Sequence, residues 1–163
     1  MSQKTVSKDF HSSIEDWILN FLSKPNDVFA KFPPCPFAKR AWLDDKVIVH
    51  KILPWNIEDA LRWTLSYFPP DKDVVLFCMD PKLISADYLS KLAVSTEHYI
   101  ILDDHPDEPE EVGGVLLNQG TYAILFVQRR SELERARKEL AITDYYKNFT
   151  QEYKNEVWQS RSS

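Results

Sequence analysis

All three glycines of this 163-residue chain fall at Gly113, Gly114 and Gly120. Glycine permits positive φ and close backbone approach, so a chain that concentrates it in one place marks that place as unusual. The glycines follow directly on an acidic run, Leu102-Asp103-Asp104-His105-Pro106-Asp107-Glu108-Pro109-Glu110-Glu111. The stretch from Asp103 to Gly120 is too long for an ordinary connection in a compact domain, and long loops of this kind are more often functional or disordered. It is the first place to look for a site.

The rest of the chain reads as one α/β domain. Its length is enough for a real core, and its 44% hydrophobic residues argue against global disorder. A net charge of -5 disfavours generic nucleic-acid or anionic-membrane binding. No apolar run approaches the ~18 residues of a membrane span, and the polar N-terminus lacks a signal core. A soluble, cytoplasmic protein is expected. Cys35 and Cys78 are too few for a disulfide scaffold, with reduced thiols the default and one bridge the alternative.

Residues 1–11 read as a flexible lead and 12–163 as the domain. Ser12 and Glu15 fit a capping box, and Ile14, Trp17, Ile18, Phe21 and Leu22 form one buried helical face ending near Pro25. A Pro-rich arm follows, with Phe29, Phe32, Phe37 and Trp42 among Pro33, Pro34 and Pro36, and one helical turn after Pro36. Strands are expected over 46–53, 73–79, 98–102 and 121–128. Helices are expected over 56–68, with Asn56 as cap, over about 85–96, and from Ser131 to about Leu140. A C-terminal aromatic helix, carrying Tyr146, Phe149, Tyr153 and Val157, closes the chain. It must dock on its own domain or on a partner. The order β-α-β-α-β-β-α favours a mixed four-stranded sheet, its first strands parallel and its last two antiparallel.

Two constellations carry candidate chemistry. Asp103, Asp104, His105, Asp107 and Glu108 set one imidazole among carboxylates, the ligand mixture of iron, manganese or zinc sites. Strand alternation points Asp103 and Asp104 apart. His50, in the first strand, is a further candidate ligand, and Asp104 a candidate catalytic carboxylate. The alternative is a solvated acidic loop with structural histidines. The second constellation is Cys35, followed by Pro36 at a helix start, with Lys39 and Arg40 nearby. Helix dipole and cations both favour the thiolate; the alternative is a cysteine packed as a small apolar residue. Asp80, at a strand's carboxyl end, is either a ligand group or the cap of the following helix. The basic residues Arg129, Arg130, Arg135, Arg137 and Lys138 are interleaved with glutamates as a solvated helix face would be.

Cys35-Pro36-Phe37-Ala38-Lys39-Arg40 resembles the active-site motif of glutaredoxins and cysteine-type glutathione transferases. That resemblance implies a thioredoxin-like element order and thiol-redox or glutathione chemistry at Cys35. Here Cys35 precedes the first strand, and no proline stands before Thr121 where that family has one. The Cys35–Ala38 and His105–Asp107 segments together are similar to a family of small uncharacterised bacterial proteins, which implies that the two segments work together.

Three functions are therefore expected in competition. One is an enzyme or catalytic accessory subunit, with Cys35 and Asp104 catalytic and a divalent metal (iron, manganese or zinc) on His105, Asp103, Asp107 and His50. Another is thiol chemistry at Cys35. The last is a non-catalytic binding or assembly protein, its partner a small molecule or a protein, homo-oligomeric through residues 144–159.

Overall fold

The central strand of the molecule, β2 (Val74–Met79), has the sequence VVLFCM and is buried along nearly its whole length. An apolar, β-branched run of this kind needs cover on both faces, and the fold supplies it. The computed structural model describes residues 10–29, 35 and 37–146. Helix α1 covers 10–22, its last part, Trp17–Leu22, wound as π-helix. It is followed by α2 (Ala38–Leu43), β1 (Val47–Lys51), α3 (Ile57–Ser66), β2, α4 (Ala86–Leu92), β3 (Tyr99–Asp104), β4 (Glu111–Val112), β5 (Val115–Leu116), β6 (Ala123–Arg129) and α5 (Arg130–Ala141). The α/β class and the mixed four-stranded sheet are as expected.

The sheet order is β1-β2-β6-β3, with β1 parallel to β2 and β6 antiparallel to both of its neighbours. Strands β1, β2 and β3 therefore all finish at the same end of the sheet, and β6 starts there. One face packs under α3 and α4 through Ile57, Val75, Phe77, Leu89, Leu125 and Val127. The other packs under α1 and α2 through Ile14, Ile18, Leu76, Cys78 and Ile124, with Trp42 against them. Full burial of Ile14 contributes about 1.5–3 kcal/mol.

Several boundaries differ from expectation for local reasons. Phe10 and His11 are helical, and Phe10 is buried edge-on against Tyr122, so Ser12 lies inside α1 instead of capping it. Residues 1–9 and most of the Pro-rich arm (30–34 and 36) lie outside the described residues. A 3-10 turn, Pro54–Asn56, leads into α3, and Asn56 makes no capping bond. Ser85, not Asp80, caps α4 by accepting from the Tyr88 amide at 3.1 Å. Ser131 lies within α5, which begins at Arg130.

Helix α2 ends in a Schellman motif. The Lys46 amide donates to Ala41 and the Asp45 amide to Trp42. The left-handed position, usually glycine, is Asp45 at φ 56, held by Lys72 Nζ at 3.0 Å. The expected C-terminal aromatic helix falls outside the described residues beyond the 3-10 turn Asp144–Tyr146, where Tyr145 is buried and stacks on Phe29 at 5.2 Å. No described helix is long and apolar enough to cross a membrane.

Candidate functional site

The glycine-bearing loop is a built structure. Gly113 (φ 57) and Gly114 (φ 84) are the two central residues of a turn that joins β4 to β5, with Val112 paired to Val115. Positive φ at both positions is the type I′ hairpin geometry. A Cβ on Gly113 would meet Val28 Cγ1 at 2.8 Å, whereas one on Gly114 would meet open space. Val112 and Leu117 then pack with Phe29, Phe37, Leu140 and Tyr145 in a third apolar cluster. The loop, the arm beside Cys35 and the end of α5 thus converge there.

Asn118 closes the base of this loop. Its Nδ2 donates to Asp104 Oδ1 at 2.6 Å and to the carbonyls of His105 and Glu108 at 3.2 Å. Its Oδ1 accepts from the Glu110 amide at 2.7 Å. Gln119 continues the pattern: its amide donates to Asp104 Oδ2 at 3.0 Å, and its Oε1 accepts from the amides of Thr121 and Tyr122 at 2.9 Å. These bonds satisfy several of the loop's backbone groups and tie residues 104 to 122 together.

Both chemical groups at the loop's start are engaged in that frame. His105 is 2% exposed. Its ring nitrogen Nε2 lies 2.8 Å from the Ile84 carbonyl, which can only accept, so Nε2 carries the proton. Nδ1 accepts from the Asp107 amide at 3.1 Å. These partners assign one neutral tautomer and use both nitrogens. The Asp107 carboxylate is exposed, 3.8 Å from Nδ1 and beyond hydrogen-bond distance. Asp104 is buried, and burial raises its carboxyl above the ordinary aspartate range. The bonds from Gln119 and Asn118 pull the other way, with less effect, while Asp103 adds to the rise.

The other candidate residues do not gather around this pair. Asp103 and Asp104 face opposite sides of β3, as alternation requires. His50 lies on β1, at the far edge of the sheet from β3, and stacks on Phe77 at 5.6 Å. It shares a row with Phe77, Leu125 and Asp103. Three strand spacings separate His50 from Asp103, about 14 Å. Both β2 and β6 lie between them, and β6 adds the third spacing. Among the described residues no three His, Cys, Asp or Glu side chains are grouped to hold an ion.

The two thiols are both free and both raised. Burial pushes Cys78 up to about 12, with Asp104 adding to it. Burial also raises Cys35, against smaller opposing bonds from the Phe37 and Ala38 backbone. The helix start expected to activate Cys35 does act in the expected direction, but α2 is only six residues long and desolvation outweighs it. Arg40, expected to help, pairs with Asp44 at 2.9 Å. Asp80 is engaged in a local turn through the Lys82 amide at 2.9 Å.

Two arginines assigned to a solvated face are staples instead. Arg129 donates to the carbonyls of Lys72 and Pro69 at 2.7 and 2.8 Å and lies over Phe68. Arg130 donates to Thr96 at 2.7 Å. Arg135, between Glu132 and Glu139, forms the expected surface pairs, Arg130 also reaches Glu134 at 3.5 Å, and Arg137 is buried.

Beside Asn118 and Gln119 an open cleft of about 340 Å³ runs along the π-helical part of α1, bordered by Ser13, Asp16, Trp17, Phe21 and Thr121. The Trp17 indole N–H is buried without a hydrogen-bond partner among the described residues, an arrangement that costs about 1–3 kcal/mol. π-helical turns are frequent at functional sites. Neither Asn118 nor this cleft carries a signal in the sequence pattern. Compared with protein-family models, with curated proteins and with solved structures, the chain matches none.

Proposed function

We propose that this protein acts by binding a protein partner, as an assembly or adaptor component, rather than by catalysing a reaction. The observation that carries this reading is the engagement of both His105 nitrogens and both Asp104 oxygens, by the loop itself and by the Ile84 carbonyl. A metal on His105 with Asp103, Asp107 and His50 would have to break one of those bonds and join residues on opposite sheet edges. Thiol chemistry would start from a desolvated Cys35. The surface, by contrast, carries large aromatics: on α3, Trp63 and its neighbour Tyr67 are 67% and 66% exposed with ring centroids 4.6 Å apart. Aromatic residues of this size are the side chains that anchor protein interfaces. Two reduced thiols suit a cytoplasmic setting.

Photo-crosslinking inside cells, from a probe at position 63, tests the reading. One reproducible protein adduct is expected, absent when the probe stands at the exposed Lys82. Equal labelling from both positions, or none from position 63, overturns it.

The cleft favours a second reading, a small organic cation. Its border carries the Asp16 carboxylate, which also accepts from Asn20 Nδ2, beside Trp17 and Phe21; an acidic group next to aromatic rings suits an ammonium group. Titration with ethylammonium should shift the Trp17 and Gln119 side-chain resonances saturably, and Asp16→Asn should abolish the shifts. Absence of saturable shifts removes this reading.

A further inference from the structure

The sheet has two edges, and they are treated differently. At β3 the outward groups of its first half are covered. The Tyr99 amide donates to Thr96 Oγ1 at 3.2 Å, the Ile101 amide to Ser95 Oγ at 3.1 Å, and the Tyr99 carbonyl accepts from the Thr96 amide at 2.8 Å. At β1 the ladder to β2 is framed by Ile52 N–H to Cys78 O at 3.0 Å and Val74 N–H to Lys46 O at 3.2 Å. Even-numbered residues therefore face β2. The amides and carbonyls of Val47, Val49 and Lys51 face outward, with no hydrogen-bond partner among the described residues. An open edge of this kind is a template for another strand. A lysine on an edge often guards it, but here the Lys51 ammonium is turned onto the Phe10 ring, 5.7 Å from its centroid.

We propose that two copies of this chain join through β1, antiparallel about a two-fold axis at Val49, to make one continuous eight-stranded sheet. The edge is complementary to itself. Its three outward residues pair Val49 with Val49 of the second copy and Val47 with Lys51 of the second copy. That register forms six backbone hydrogen bonds. No like charges oppose each other, since Lys51 meets Val47 and His50 meets Ile48. A stable interface buries about 1,200–2,000 Å², more than a five-residue ladder supplies. Exposed apolar side chains flank both ends of the strand: Leu43 (64%) before it, Leu53 (48%) and Trp55 (70%) after it. The two-fold axis brings the Leu43 end of one copy beside the Leu53–Trp55 end of the other. This favours a second copy over an unrelated peptide, which would not meet both flanks. The inference is separate from the Trp63–Tyr67 reading, and either can fail alone.

Sedimentation equilibrium and amide hydrogen exchange on the full chain, from about 10 µM to about 1 mM, test it. The expected mass rises toward twice 19.1 kDa. The Val47, Val49 and Lys51 amides should gain protection with concentration, while Ile48 and His50 stay protected throughout. Val49→Pro removes an outward amide that an edge position can spare and should weaken dimerisation by about tenfold or more. A monomer at every concentration overturns the proposal. So does concentration-independent protection of the edge, which would mean that the chain covers β1 itself. A dimer without edge protection overturns it too, by locating the interface elsewhere. The exchange measurement decides even if Val49→Pro does not fold.

Discussion

The turn at Gly113-Gly114 makes a sharp energetic prediction, because its two glycines sit in similar backbone conformations with unlike surroundings. Gly114→Ala places a Cβ at φ 84 in open space, so it costs only the left-handed strain of an L-residue, about 1–2 kcal/mol. Gly113→Ala carries comparable strain at φ 57 and also drives its Cβ to 2.8 Å from Val28 Cγ1. Val28 is β-branched, so it cannot rotate away freely, and overpacking adds about 1–3 kcal/mol. Gly113→Ala should therefore cost about 2–5 kcal/mol. Val28→Ala alone loses packing in the third cluster, but combined with Gly113→Ala it removes the clash. The double variant should be less destabilised than the sum of the singles by about 1–3 kcal/mol, and the same cycle with Gly114→Ala should be additive. Urea unfolding of the six proteins, wild type included, measures this. Equal costs at positions 113 and 114, with no coupling to Val28, would refute the idea that the arm and the hairpin are packed as one unit.

Three further outcomes follow from the buried groups. Asp104→Asn keeps one acceptor but sets its amide against either the Asn118 or the Gln119 donor, and should cost about 1–3 kcal/mol at neutral pH by urea unfolding. Because the folded chain holds the Asp104 proton more tightly than the unfolded chain, its contribution to stability is complete below the ordinary aspartate value and is lost as pH rises through the folded value. The cost of Asp104→Asn should accordingly shrink from acid toward neutral pH, and a cost that grows over that range contradicts the burial argument. Iodoacetamide should alkylate Cys35 more slowly than an unfolded cysteine, and Cys78 far more slowly still; a Cys35 faster than the unfolded reference restores thiol chemistry as a function.

Local pattern made most of the fold legible. The apolar run of β2, the α1 stripe and the strand-helix alternation all predicted elements now seen within a few residues. The hairpin β4–β5 is signalled too, by Gly113-Gly114 between valines. What could not be read was anything that depends on which strands are neighbours. His50 looks like a partner for His105 until β6 separates their edges. Cys35 at a helix start reads as activated, because dipole and cations act locally whereas burial comes from distant packing. Asn118 is one asparagine among loop residues, and its four bonds exist only once residues 104 to 110 have folded back on it. Arg129 and Arg130 looked like surface charge for the same reason: the carbonyls they hold belong to loops 57 to 60 and 33 to 34 residues earlier.

The account turns on His105 as a hydrogen-bonding strut that ties the loop to the Ile84 carbonyl and to the Asp107 amide. A long-range proton–nitrogen correlation spectrum of the imidazole, recorded before and after adding Zn²⁺, tests this most directly. A neutral ring protonated at Nε2, with Nδ1 unprotonated and both shifts unchanged by the metal, is the predicted result. A proton on Nδ1, or a ring whose nitrogens shift on metal addition, contradicts it and returns the loop to the ion.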